Sequence, residues 1–341
     1  MGKLRVTLAC DGYLHTRALA AGDVKVEGVD LNYIEMFPAE IFQRMVQFRE
    51  FEASELGMKF TVNTRALEKP PFIAIPVFPS RSFRHSAVYV NVDSGIREPR
   101  DLIGKRVGEP FAYGHDAAIW ARGILQDHYG VPVESVTYVA GRIDADRSRD
   151  FAPFKPYNNI QVVGIEKHQT LDAMLEAGEI DALYTGIVPP CFLRGSKKVR
   201  RLFEDFESVE RAYFAQTGIF PIMHTVGIRT EVYEANRWLA QALFKAFSDS
   251  KQRAYEYLAA QESSMLRLLM TPWMAQLRER NRKLFGPDHM PYGLEKNRKT
   301  IETFLRYHHE QGLSRTMLKP EQLFAPETLV EYPNYKPPTD V

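Results

Sequence analysis

Cysteine is almost absent: Cys10 and Cys191 are the only two in 341 residues. They share no motif with each other or with histidine, so a structural zinc centre, which needs four clustered ligands, is not expected. Two unpaired thiols suit a reducing compartment. No apolar run approaches the length of a membrane-spanning helix. No basic run exceeds a few residues and the formal net charge is +1, which argues against nucleic acid and anionic membrane as partners. The N-terminal MGKLRVTLAC enters a strand pattern with no apolar leader before it, so the expected compartment is the cytoplasm. No internal repeat is present.

What is there is an ordinary globular composition, 45% apolar and 26% charged, too long for one core and suited to two lobes. Leu4–Ala9 and Val29–Ile34 read as buried strands, separated by a polar turn that starts at Asp11 and Gly12. Residues 41, 42, 45, 46 and 48 are apolar at helical spacing. Phe72–Val77, Ser86–Val92, Lys105–Gly108 and Asp181–Tyr184 read as further strands. Helices are expected over His115–Tyr129, stopped by Gly130, and over Leu171–Ala177, stopped by Gly178. Ile219–Ile228 is a strand interrupted by Pro221. Beyond Thr230, a plausible N-cap, a helical stripe runs through Leu239, Leu243, Phe247, Ala254 and Leu258. Helices continue to about Gln311, and an extended proline-rich tail starts at Pro326. Alternating strands and helices give a mostly parallel α/β sheet.

Specific strings narrow this reading. DSGIREPRDLIGKRV (93–107) resembles a passage of the type II periplasmic-binding-protein fold. FPSRSFRH (78–85), IWARGILQDHYG (119–130), GEIDAL (178–183), RRLFEDFESVE (200–210), TGIFPIMHTV (217–226), PYGLEKNR (291–298) and YHHEQGL (307–313) together resemble the 4,5-dihydroxyphthalate decarboxylase family, from about residue 3 to about 328. The resemblance implies a two-lobed α/β fold with a helical C-terminal third. Lobe I would comprise residues 1–88 plus 228–341 and lobe II residues 89–227, with a ligand cleft between them crossed by Ser86–Val92 and Ile222–Ile228. FEASELGMKF (51–60) and EPFAYGHD (109–116) depart from the family pattern where strands hand over to helices, and so bear on the exact substrate.

The implied activity is decarboxylation of a hydroxylated aromatic diacid, giving a dihydroxybenzoate and carbon dioxide. The competing expectation is a solute-binding protein that captures an aromatic carboxylate without turnover. Decarboxylation needs cations or amide dipoles for the carboxylates, a base for the phenol and an acid for the ring carbon. Arginine's planar fork matches a carboxylate, and histidine titrates near neutrality. The expected proton carriers are His85, His224 and His115. The expected substrate contacts are Arg81, Arg84, Ser54, Glu55, Tyr113, Asp116 and Tyr184. Each has a plainer reading: solvated loop arginines, a buried hydrogen-bonded histidine, helix caps at Ser54, Glu55 and Asp116, and a core aromatic at Tyr184. His308 and His309 read as surface residues. No cofactor is expected, with a divalent metal held by His85, His224 or His115 as the alternative. The partners are a small aromatic acid and further copies of the same chain.

Overall fold

The computed structural model describes residues 2–145, 155–263 and 272–330. The chain divides into two compact units. Unit 1 combines Met1–Arg81, Ile222–Ile301 and Leu318–Val341, and unit 2 combines Ser82–Pro221 with Glu302–Met317. The boundaries differ from the expected ones in one substantive way. Residues 302–317 belong with unit 2, so the chain passes between units four times rather than twice.

Unit 1 opens with β1 (Leu4–Cys10), α1 (Arg17–Ala20), β2 (Val29–Glu35), α2 (Pro38–Phe48), β3 (Ala53–Gly57), α3 (Met58–Arg65) and β4 (Phe72–Ile75). Unit 2 follows with β5 (Val88–Asn91), β6 (Arg106–Pro110), α4 (Asp116–Tyr129), β7 (Thr137–Gly141), β8 (Val162–Gly164), α5 (Leu171–Ala177), β9 (Ala182–Tyr184), α6 (Pro190–Leu193), β10 (Val199–Arg201) and α7 (Phe206–Thr217). The chain returns to unit 1 with β11 (His224–Arg229), α8 (Thr230–Ala235), α9 (Trp238–Ser263) and α10 (Met274–Phe285). α11 (Arg298–Glu310) begins in unit 1 and continues into the 302–317 segment of unit 2.

The sheet of unit 1 has the order β2-β1-β3-β11-β4. β1 runs parallel to β2 and β3, and β11 runs antiparallel to both β3 and β4. Its core joins Ala9, Ile41, Phe42, Met45, Phe51, Leu56 and Phe72, with Val46 packed against it, so the apolar face of α2 read from the sequence packs except for Phe48, which is exposed. The sheet of unit 2 has the order β10-β5-β9-β6-β7-β8. The ladders β9-β6-β7-β8 are parallel and those of β5 with β9 and β10 antiparallel.

α4 ends where the sequence stops it. Gly130 takes φ 66° and its amide closes on Leu125 O, a left-handed cap that glycine adopts without strain. In the middle of α4, a close approach requires glycine. A side chain at Gly123 would overlap the ring of Tyr307 on α11, whose phenol donates to Asp127 at 2.7 Å. The tail expected to be extended from Pro326 starts with a 3-10 turn, Pro326–Thr328, and its remainder from 331 lies outside the described residues.

Candidate active site

In unit 1 a buried carboxylate collects polar partners at the end of the central strands. Glu55 sits on β3, and Val226 of the neighbouring β11 stands directly opposite it. Strand alternation then puts His224, two residues away, on the same face as Glu55. The geometry follows: His224 Nδ1 lies 2.5 Å from Glu55 Oε1. Tyr13 Oη donates to the same oxygen at 2.6 Å. The amide of Asp11 donates to Oε2 at 2.9 Å, and the thiol of Cys10 lies 3.5 Å from it. Glu55 is fully buried, whereas the His224 side chain keeps 15% of its surface exposed.

Burial by itself raises the carboxyl pKa of Glu55, but the hydrogen bonds from His224, Tyr13 and the Asp11 amide outweigh it and hold the group below the usual range. Glu55 is therefore ionised, and an ionised carboxylate only accepts. The proton of the shared contact belongs on His224 Nδ1, and Nε2 takes no part in it. The ring is steadied by an edge contact with Phe42, 5.0 Å between centroids. Tyr13 pays for its place with a strongly raised phenol pKa, from burial first and from Glu55 second. It stacks on His15, whose ring nitrogen reaches Pro79 O at 3.0 Å.

Ser54 and Glu55 were expected together, but adjacent residues of a strand point to opposite faces. Ser54 is buried away from the dyad, and its hydroxyl has no hydrogen-bond partner among the described residues. Arg81 is committed inside unit 1. Its guanidinium donates to Pro291 O at 2.8 Å and to Asn297 Oδ1, and lies over the ring of Phe78. These bonds tie Arg81, expected as a substrate contact, to the 291–297 turn. Close by, the buried ammonium of Lys251 is held by both oxygens of Asp288, at 2.8 and 3.0 Å, and by Met290 O at 2.8 Å. Burial pulls its pKa down to about 8 despite Asp288.

The other expected residues belong to unit 2. His85 is 2% exposed, boxed by Tyr129, Phe203 and Tyr213 with centroids 5.2–5.9 Å away. Neither ring nitrogen has a partner among the described residues. Burial first, and His128 second, push its pKa down to about 4. The structure thus places His85, expected as a proton carrier, as a buried ring enclosed by aromatics. Tyr113 is also structural: its hydroxyl donates to Gln311 O at 3.0 Å, and Arg122 lies 4.1 Å from its ring centroid. Tyr184 is a core aromatic, as its plainer reading has it, buried 6.5 Å from Tyr138.

His115 is the N-cap of α4. Its amide and that of Gly114 donate to Glu109 Oε1, at 3.1 and 2.5 Å. Glu109 is itself buried against Arg122, whose Nε donates to Gln311 at 2.8 Å. Asp116 is buried in the first turn of the helix. Arg84 is buried with no hydrogen bond or ion pair among the described residues. His308, expected at the surface, is fully buried and bonded to Ser314 Oγ at 3.1 Å.

Sequence reading missed Cys10, Asp11 and Tyr13 as partners of Glu55. The signal available was the polar turn directly after β1, at a strand's C-terminal end, where α/β folds place ligands. It also missed the Glu109–Arg122 pair, because an arginine in the middle of a helix reads as exposed. Among the described residues no group of three or more His, Cys, Asp or Glu is arranged to hold a metal ion. No helix among them is long and apolar enough to cross a membrane.

No family model matches the chain. In solved structures it is similar to the periplasmic aliphatic sulphonate-binding protein SsuA of Escherichia coli. The TM-score is 0.52 at 12% identity, with 96% of this chain and 99% of that one covered. It is also similar to protein AF1704 of Archaeoglobus fulgidus, with a TM-score of 0.51 at 13% identity, covering 91% and 98%. These likenesses show the periplasmic-binding-protein fold and carry no activity. Among curated proteins, the chain is 35% identical over 206 residues to the 4,5-dihydroxyphthalate decarboxylase of Pseudomonas putida, 60% of this chain and 79% of that one. It is 36% identical over 333 residues to the 4,5-dihydroxyphthalate decarboxylase of Comamonas testosteroni, 97% of this chain and 99% of that one. A match at that identity, running nearly end to end through both dyad residues, means that the chain belongs to the 4,5-dihydroxyphthalate decarboxylase family.

Proposed function

We propose that this protein is a carboxy-lyase that removes one carboxylate from a hydroxylated phthalate such as 4,5-dihydroxyphthalate, releasing carbon dioxide and a dihydroxybenzoate. The observation that carries the chemistry is the buried Glu55–His224 dyad. Capture without turnover is not favoured, since a relative matched over nearly the whole chain is named for the activity.

Direct loss of carbon dioxide would leave an aryl anion whose electron pair the ring cannot delocalise. Protonating the ring carbon that bears the carboxylate avoids this. The hydroxyl para to that carbon supplies the electrons. The carbon–carbon bond then breaks, its pair returns to the ring, carbon dioxide leaves, and aromaticity is restored. One proton is consumed and becomes the new ring C–H. In this reading His224 delivers it from Nε2 as imidazolium, and Glu55 is the positioning residue that fixes the ring and balances its charge. Tyr13 and the Asp11 amide keep Glu55 in place and ionised.

The test is carbon dioxide release from 4,5-dihydroxyphthalate, with and without chelator, run in deuterated water. Wild type should turn over and place deuterium on the carbon that lost its carboxyl. His224→Ala should lose about 10²–10⁴-fold in kcat while keeping most of its substrate affinity, because the lost contact acts in the transition state. Glu55→Gln, which keeps an acceptor for Nδ1 but not its charge, should lose less. Tight binding of the diacid by wild type without any carbon dioxide would overturn the decarboxylase. Turnover that survives His224→Ala would overturn the assignment of the dyad.

A further inference from the structure

Unit 2 buries a guanidinium that makes no hydrogen bond or ion pair among the described residues. Arg84 is 7% exposed, and its Nε is buried without a partner among them. A guanidinium carries five N–H donors, and leaving them unused in the interior is costly. Burial pulls its pKa down to about 10, with the charges of Asp116 and Glu210 opposing. Glu210 is occupied elsewhere: it accepts the Ser86 amide at 2.9 Å.

The guanidinium faces the start of α4. The position that a Cβ of Gly186 would occupy lies 3.7 Å from Arg84 Nη1 and 3.5 Å from Ala117 Cβ. Gly186 therefore marks a place where arginine, bare backbone and the first turn of a 14-residue helix converge. The donors of that turn are not equivalent. Gly114 and His115 spend their amides on Glu109, and Ala118 and Ile119 spend theirs on His115 O. The Ala117 end of that turn, beside Arg84 and Gly186, lies at the positive end of the helix dipole.

We infer that unit 2 carries a carboxylate-binding site made of Arg84, the Ala117 end of α4 and the backbone at Gly186. The planar fork of arginine fits a carboxylate with two parallel hydrogen bonds. A single guanidinium matches a monoanionic group rather than a phosphate dianion. That the occupant is a carboxylate of the substrate rests on the proposed function; the site itself does not.

Phthalate lacks the hydroxyls that drive decarboxylation, so its binding is measured without turnover. Calorimetric titration with phthalate, and with catechol as the neutral control, is run on wild type, Arg84→Gln and Arg84→Lys. Arg84→Gln should weaken phthalate about ten- to a hundredfold, the cost of one or more charged hydrogen bonds, and leave catechol unchanged. Arg84→Lys keeps the charge but loses the fork and should fall between the two. Without ligand, Arg84→Gln should melt at or above the temperature of wild type, since an uncompensated buried charge has been removed. Unchanged phthalate affinity would overturn the site. So would a lower ligand-free melting temperature or failure of both variants to fold, either of which would make Arg84 a structural tie. Loss of phthalate binding in Arg84→Gln, with no turnover in wild type, would keep the site and sink the decarboxylase.

Discussion

His85 and His15 show what burial does to a single ring. Both are pushed down to about 4, burial being the largest cause in each. For His85 the faces around it are Tyr129, Phe203 and Tyr213, with His128 adding repulsion. For His15, Lys251 lowers while Pro79 O and Glu55 raise. An unfolded histidine titrates near 6.5. The folded state thus refuses a proton that the unfolded state accepts. Stability is complete above about pH 6.5 and drains away as the pH falls toward 4, by at most about 1.4 kcal/mol per pH unit for each ring. Urea melts between pH 7 and pH 4.5 should show this slope. In His85→Phe, which keeps the aromatic box filled, the slope should shrink by about one proton. An identical slope would mean that His85 does not contribute.

At the scale of elements, α4 and α11 meet at Gly123 and Tyr307. Alanine is the better helix former by roughly 1 kcal/mol, so propensity alone makes Gly123→Ala stabilising. Packing says the reverse, because the new methyl would overlap the Tyr307 ring, and overpacking costs about 1–3 kcal/mol. The expected outcome is a lower urea midpoint for Gly123→Ala, and a raised one would show that the ring gives way freely. The same contrast explains what could be read from the sequence. α5 with its Gly178 stop, α4 with Gly130, β2 and the apolar face of α2 were legible because local periodicity and glycine punctuation dictate them. His224 and Glu55 were legible as candidates, but their pairing was not, since it depends on the register of β11 against β3. Thr230 looked like a cap and instead donates to Pro70 O at 2.7 Å, leaving Arg229 as the capping residue. Arg84, Arg81 and Arg122 are the same residue type with three different fates. Nothing local distinguishes an arginine without a partner from one tied to a turn or to a buried glutamate.

For the whole molecule, the decisive fact is that unit 2 is not a continuous stretch. Segment 302–317 supplies Tyr307 against Trp120, and Gln311 to the Nε of Arg122. Without it, that nitrogen and the Tyr113 hydroxyl lose their acceptors in the interior, at about 1–3 kcal/mol each and more for the charged one. A fragment of residues 82–221 should therefore show no cooperative urea transition, whereas the same fragment with 302–317 joined to it should. Cooperative unfolding of the shorter fragment would mean that the returning segment is an accessory.

That returning segment also sets an order of events during synthesis. Residues 82–221 leave the ribosome long before residue 302 is made, yet their helix α4 lacks its partner until then. Vectorial folding, with the earlier domain finished before the later one starts, is closed to this chain. Unit 1 waits in the same way, because β11 and α9 come after the whole of 82–221. The nascent protein must hold two half-built cores until translation is nearly over. Ribosome-bound chains that stop before residue 302 should accordingly remain sensitive to protease in both units.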